Sequence, residues 1–133
     1  MQQTETYKLN IIEDDDKFSP DALNKNAEAL EAQLARIDAA LLKFACGTYT
    51  GNGSSSRTIS LPFTPKVLYV GNTYGSTYYN SCTCGGLALE NKPVATSSAT
   101  LVTIVAGGFR VCHSSATQTT NKSDGEYRYF AIG

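Results

Sequence analysis

The sequence predicts an α+β chain in sequence order: an N-terminal heptad helix, expected as a trimeric coiled coil, then an antiparallel all-β sandwich or jelly-roll-like domain. Three observations lead there. No glycine precedes residue 46 and all eleven follow it. Apolar residues recur at spacings of four and three between Leu23 and Phe44, the period of a helix seam. Beyond that point, short alternating runs are separated by clusters of Gly, Pro, Asn and Ser, the punctuation of strands. The 133 residues thus divide into an extended segment 1–18, a helix 19–45 and a β domain 46–133.

The helix has a defined start. Ser19 can act as N-cap, Pro20 fits the first helical position, and Asp21 complements the positive end of the dipole. Ala27, Leu34 and Leu41 fall at a positions; Leu23, Leu30, Ile37 and Phe44 fall at d. Asn26, Glu31, Gln33 and Asp38 form the solvated margins. A helix packing on its own domain usually shows a wider stripe, so the narrow seam favours self-association through Leu23, Ala27, Leu30, Leu34, Ile37 and Leu41. Leu at a with Ile at d favours more than two strands, and a parallel homotrimer is expected. Upstream, Tyr7, Leu9 and Ile11 alternate before the acidic run Glu13–Asp16. A calcium loop would need glycine at its sixth position, where Ser19 stands, so the run reads as a solvated turn.

The second half reads as seven or eight short strands. "TYT" ends in "GNGSSS", expected as a hairpin turn, and "RTISL" follows. Pro62 and Pro65 mark a corner, since neither can donate to a ladder. "KVLYV" is a continuous apolar run and reads as a strand buried on both faces. "GLALE", "ATLVTIVA", "GGFRVCHS" and the closing "EYRYFAIG" complete the set.

Residues 72–86, "NTYGSTYYNSCTCGG", carry the candidate chemistry. Tyr, Ser, Gly and Asn make adaptable binding loops with rigid aromatic area. Asn72, Tyr74, Tyr78, Tyr79 and Asn80 are the candidate binding residues; the competing reading packs these tyrosines between protomers, or buries one ring of Tyr78 and Tyr79. Tyr127 and Tyr129 read as core or interface. Cys46, Cys82, Cys84, Cys112 and the single His113 lack the spacing of a zinc site, so free buried thiols are expected, with no metal and no cofactor. One histidine, no G-x-S-x-G elbow and only Glu90, Asp124 and Glu126 as β-domain carboxylates argue against an enzyme. A net charge of −1 gives no footprint for nucleic acid. No run of eighteen apolar residues offers a membrane span, and "MQQTETYKLN" has neither the basic start nor the apolar stretch of a secretory signal.

Two stretches carry a family resemblance. "YKLNIIEDDDKFSPDALNKNAEALEAQLARID", with Asn24, Asn26, Ile37 and Asp38, resembles the leader of short bacteriophage fibre proteins. "GTYTGNGSSSRTISLPFTPKVLYV", "GGFRV" and "YRYFAIG" resemble a β-domain found at fibre ends. The resemblance implies a trimeric structural protein of a bacteriophage or prophage tail fibre, made in the host bacterial cytoplasm and located in the virion tail. Its implied partners are other tail or baseplate proteins and a host-surface glycan or protein. Residues 72–100 match nothing in that framework, which makes them the natural seat of individual binding character. The competing classes are a bacterial carbohydrate-binding or adhesion module outside any virion, and a metal-dependent enzyme.

Overall fold

The computed structural model describes residues 2–13, 16–17 and 19–133; Asp14 and Asp15 of the acidic run lie outside them. Met1–Leu41 and Leu42–Gly133 form separate units.

In the first unit, helix α1 runs Pro20–Ala40, about 31 Å at 1.5 Å per residue. Ser19 is extended (φ −132°, ψ 126°) as an N-cap should be, but its side chain makes no cap bond. Its carbonyl accepts the Ala22 N–H at 3.1 Å. The helix stops five residues before the expected end at 45. Leu41 N–H still reaches the Ile37 carbonyl, yet its ψ of 124° leaves the helix. Phe44, read as a seam position, belongs to a strand. The four-three spacing runs on through it, but from Lys43 onward the backbone finds other partners: Lys43 and Gly133 exchange both hydrogen bonds, at 3.0 and 2.8 Å.

The segment before the helix is a small hairpin rather than merely extended. Gln3 bridges Asn10, Thr4 N–H reaches the Leu9 carbonyl and Ile11 N–H the Gln2 carbonyl. Asn26, expected as a solvated margin, holds this hairpin to the helix. Its amide accepts from the Asn10 N–H at 2.6 Å and donates to the Asn10 carbonyl at 3.0 Å, as a neighbouring strand would. The hairpin docks beside Ala22, the buried helix residue. Within this unit nothing covers the seam: Leu23, Leu30, Leu34, Ile37 and Leu41 are 43–64% exposed, and Ala27 is exposed too.

The second unit holds twelve strands: β1 Phe44–Thr50, β2 Arg57–Ser60, β3 Val67–Asn72, β4 Tyr78–Tyr79, β5 Cys82–Thr83, β6 Gly86–Leu89, β7 Val94–Ala95, β8 Thr100–Val105, β9 Gly108–Val111, β10 His113–Ser115, β11 Gln118–Thr119 and β12 Glu126–Ile132. They form three four-stranded sheets, ordered β1-β12-β3-β6, β2-β9-β8-β7 and β10-β11-β5-β4. Pairing is antiparallel except between β5 and β11, where Thr83 and Gln118 pair in parallel. Among the described residues the chain is therefore mostly β, with one helix near its start. The closing strand β12 is central, flanked by β1 and β3.

The first two sheets share one core. Tyr49, Leu68, Val70, Ala88, Tyr127 and Ala131 from one meet Leu101, Val102, Phe109 and Val111 from the other. Each large side chain so buried contributes about 1.5–3 kcal/mol. Phe109 lies edge-on to Tyr49 and close to Tyr129. Two expectations fail here. "GNGSSS" is no hairpin turn, because β1 and β2 lie in different sheets and residues 51–56 cross between them. The "KVLYV" strand is buried on one face: Leu68 and Val70 are inaccessible while Val67 and Tyr69 are half-exposed, since nothing in the unit covers the outer side.

The crossover is clamped by polar residues in the interior. Thr119, Thr120 and Asn121 are buried in a stretch whose composition looks like loop. The Asn121 amide donates to Asn52 Oδ1 at 2.7 Å and to the Ser54 carbonyl at 2.9 Å, and its own Oδ1 accepts the Asn52 N–H at 3.2 Å. Thr120 Oγ1 donates to the Leu101 carbonyl at 2.6 Å. Burial without a partner would be costly; here every donor is used. Gly51 completes the clamp, because a Cβ there would sit 2.0 Å from the Lys122 carbonyl oxygen.

Candidate functional site: a tyrosine-edged cleft

The stretch 72–86 leaves β3 and builds two turns in succession. Asn72 Oδ1 accepts the N–H groups of Tyr74 and Ser76, each at 3.0 Å, while the Asn72 N–H reaches the Ser76 carbonyl at 2.9 Å. This Asx turn needs a left-handed residue, and Gly75 supplies it at φ 79°. Arg128 donates to the Thr73 carbonyl and Tyr69 Oη to the Gly75 carbonyl, pinning the loop from the sheet below. Tyr74 is thereby thrown outward, 69% exposed.

The second turn is a two-residue hairpin. Asn80 and Ser81 take φ of 48° and 59°, the left-handed pair that a type I′ turn requires, and β4 and β5 pair across it. Successive strand residues face opposite sides, so Tyr78 and Tyr79 part company; both stay exposed, and neither ring is buried as the competing reading held. The Tyr79 ring meets that of Tyr74, with centroids 5.4 Å apart and planes at 40°.

Between this hairpin and the segment leading to β12 lies a cleft of about 300 Å3. Tyr79 and Asn80 of the hairpin line it together with Lys122, Glu126 and Tyr127, and with Asn72, Cys82, Cys84 and Thr119. Tyr127 is firmly held: its ring stacks on Tyr49 with centroids 5.2 Å apart and planes at 16°, and its hydroxyl accepts the Lys122 N–H at 3.1 Å. Burial pushes the Tyr127 and Tyr49 phenols above their ordinary range, so both are neutral at pH 7. Cys84 donates its thiol to the Ser76 carbonyl at 3.4 Å. Burial, then the neighbouring Cys82, raises its pKa, which leaves it a thiol rather than a nucleophilic thiolate.

Of the five candidate binding residues, the fold gathers Asn72, Tyr79 and Asn80 at the cleft and joins Tyr74 through its ring contact. Tyr78 lies outside. Asn72 spends its acceptor on the loop itself, so it shapes the site more than it contacts a ligand. Lys122, Glu126 and Thr119 had no local signal; "TQTTNKSDG" reads as turn, and the parallel β5–β11 pairing that delivers it is invisible in sequence. All four cysteines are free, but only Cys84 is buried; Cys46 is exposed and Cys82 and Cys112 half-buried, correcting the expectation of buried thiols. His113 turns from the cysteines to Thr119, with Nδ1 2.9 Å from Oγ1. Among the described residues no three His, Cys, Asp or Glu side chains cluster as a metal would require.

The arrangement offers aromatic faces, amide and hydroxyl groups, one cation and one carboxylate around a small open volume. Those groups can hold a polar, hydroxyl-rich ligand by stacking and hydrogen bonding. No family model, curated protein or solved structure matches the chain.

Proposed function

We propose that this chain is a non-catalytic, homotrimeric fibre-like structural protein of a bacteriophage or prophage tail. In this reading the helix seam forms a trimeric coiled coil, and the β unit is a sandwich that presents the tyrosine-edged cleft to a host-surface glycan or protein. The observation that carries it is the seam: four large aliphatic side chains at heptad spacing stand open on one helix, with Leu41 open at its C-cap, and such a stripe in water calls for identical neighbours. The fibre assignment rests on the resemblance of the leader and the β-domain stretches; other tail or baseplate proteins would then be the structural partners. Three weak clefts on one axis gain avidity over one, by factors on the order of 10²–10⁴ when the spacing suits the surface.

The test is a glycan array and host-cell binding screen with the full chain. Binding is expected to fall about tenfold or more in Tyr79→Ala, with the far-ultraviolet circular dichroism unchanged, since losing one well-placed aromatic contact costs on the order of 1.4 kcal/mol or more. A hit that survives Tyr79→Ala and Lys122→Ala together places recognition elsewhere.

A further inference from the structure

The outer face of the β1-β12-β3-β6 sheet is read directly from its register. Phe44 pairs with Ile132, Ile132 with Val67, and Val67 with Leu89. One pleat along, Cys46 pairs with Phe130, Phe130 with Tyr69, and Tyr69 with Leu87. All eight side chains lie on the side away from the core, whose residues Ala45, Ala131, Leu68 and Ala88 occupy the alternate positions. Two complete cross-strand rows therefore contain no charge and no hydrogen-bonding group beyond the Cys46 thiol and the Tyr69 hydroxyl, which is committed to the Gly75 carbonyl. The next row changes character, with Thr48 opposite Arg128, and beyond it Thr50 opposes Glu126. Phe44, Leu87, Phe130 and Leu89 are 64, 60, 41 and 39% exposed, and the Phe44 and Phe130 rings touch at 6.0 Å.

We infer that these two rows form an interface between copies of this chain, within the same assembly that the helix seam joins. This rests on the trimeric reading of that seam. The area identifies the occupant. At ~200 Å2 for a fully exposed side chain of this size, the four exposed residues offer on the order of 400 Å2. That is about half of the ~800 Å2 per partner that a stable interface takes, so the rows alone are short of holding a separate protein. The exposed seam supplies about as much again, and the two together reach the requirement. Chain length supplies the link. The four peptide steps from Ala40 to Phe44 span at most about 14 Å, so helices gathered on one axis bring the Phe44 ends of their sheets together. The apolar rows sit at that end; the polar rows sit at the other.

Cys46 is a built-in reporter, exposed and in the second apolar row at its β1 end, paired with Phe130. The full chain is treated with a maleimide under native conditions, and alkylation at each cysteine is followed by peptide mass. In the assembly Cys46 is expected to react about a hundredfold more slowly than in unfolded chain, because it must wait for local opening. Leu30→Asp with Leu34→Asp releases monomers and restores fast labelling. Leu87→Asp, at the sheet's far edge, is expected to raise the dissociation constant at least about tenfold, the size expected when a buried aliphatic contact is lost. A trimer whose Cys46 reacts at the unfolded-chain rate overturns this interface and leaves the seam intact. A monomeric chain overturns both, whatever the rate at Cys46.

Discussion

Asn121→Ala removes the side chain that clamps the β1–β2 crossover to the segment before β12. Its three hydrogen bonds, at 2.7, 2.9 and 3.2 Å, contribute about 1 kcal/mol each. The partners Asn52 and Ser54 are not fully buried and recover water when the amide leaves, which keeps the cost near that value rather than at the full desolvation penalty. The void left by a completely buried amide adds about 1 kcal/mol. The expected destabilisation is about 3–4 kcal/mol, or roughly 15–20 °C in Tm for a unit of this size. Urea titration followed by circular dichroism measures it, with the slope m unchanged if only stability moves. Asn121→Asp separates hydrogen bonding from volume: it keeps the size, removes both donors and sets a carboxylate against two acceptor oxygens, so it must cost at least as much as Asn121→Ala. A loss below about 1 kcal/mol in Asn121→Ala, or a milder effect in Asn121→Asp, refutes the clamp as a hydrogen-bonded structure.

Other perturbations follow from the same contacts. Gly51→Ala drives a methyl to 2.0 Å from the Lys122 carbonyl oxygen; the backbone must shift, and a loss of about 2–3 kcal/mol in the urea midpoint is expected. Asn26→Ala leaves both Asn10 backbone groups without their partner and should raise amide exchange across residues 2–11 with little effect on the β unit, as mass-resolved hydrogen exchange would show. The Cys84 thiol and the Tyr127 phenol have folded pKa values raised above their ordinary 9.0 and 10.0, chiefly by burial. The unfolded chain therefore ionises them first, so their stability is complete below about pH 9 and declines as pH rises further. Cys84→Ala should flatten the early part of that decline in urea midpoints measured from pH 7 to 11; an identical slope would refute the role of the thiol.

The sequence carried the parts of this fold that obey a period. The two-residue alternation of "EYRYFAI" and "GLAL" matches strands β12 and β6, "TYT" is the last part of β1, and Pro20 marked where the helix begins. The helix end was hidden because Phe44 satisfies two periods at once: it is three residues beyond Leu41 on a heptad and two before Cys46 on a strand. The long-range pairing of Lys43 with Gly133 decides between them, and no local window contains that pairing. The polar interior was hidden for a different reason. Thr119, Thr120 and Asn121 look solvated, and only their backbone and amide partners around Asn52 and Leu101 make burial affordable. Half of the cleft was legible in the tyrosine-rich stretch. Lys122 and Glu126 reach it across some forty residues of chain, through one parallel strand pairing that leaves no trace in composition.

The central claim is that the open seam joins three copies of this chain, and the solution mass tests it directly. Sedimentation equilibrium of the full chain at micromolar concentration should give about 43 kDa, three times the 14.2 kDa of one chain, and Leu30→Asp with Leu34→Asp should return it to one third. A single species at 14.2 kDa in the unmodified protein would contradict the account.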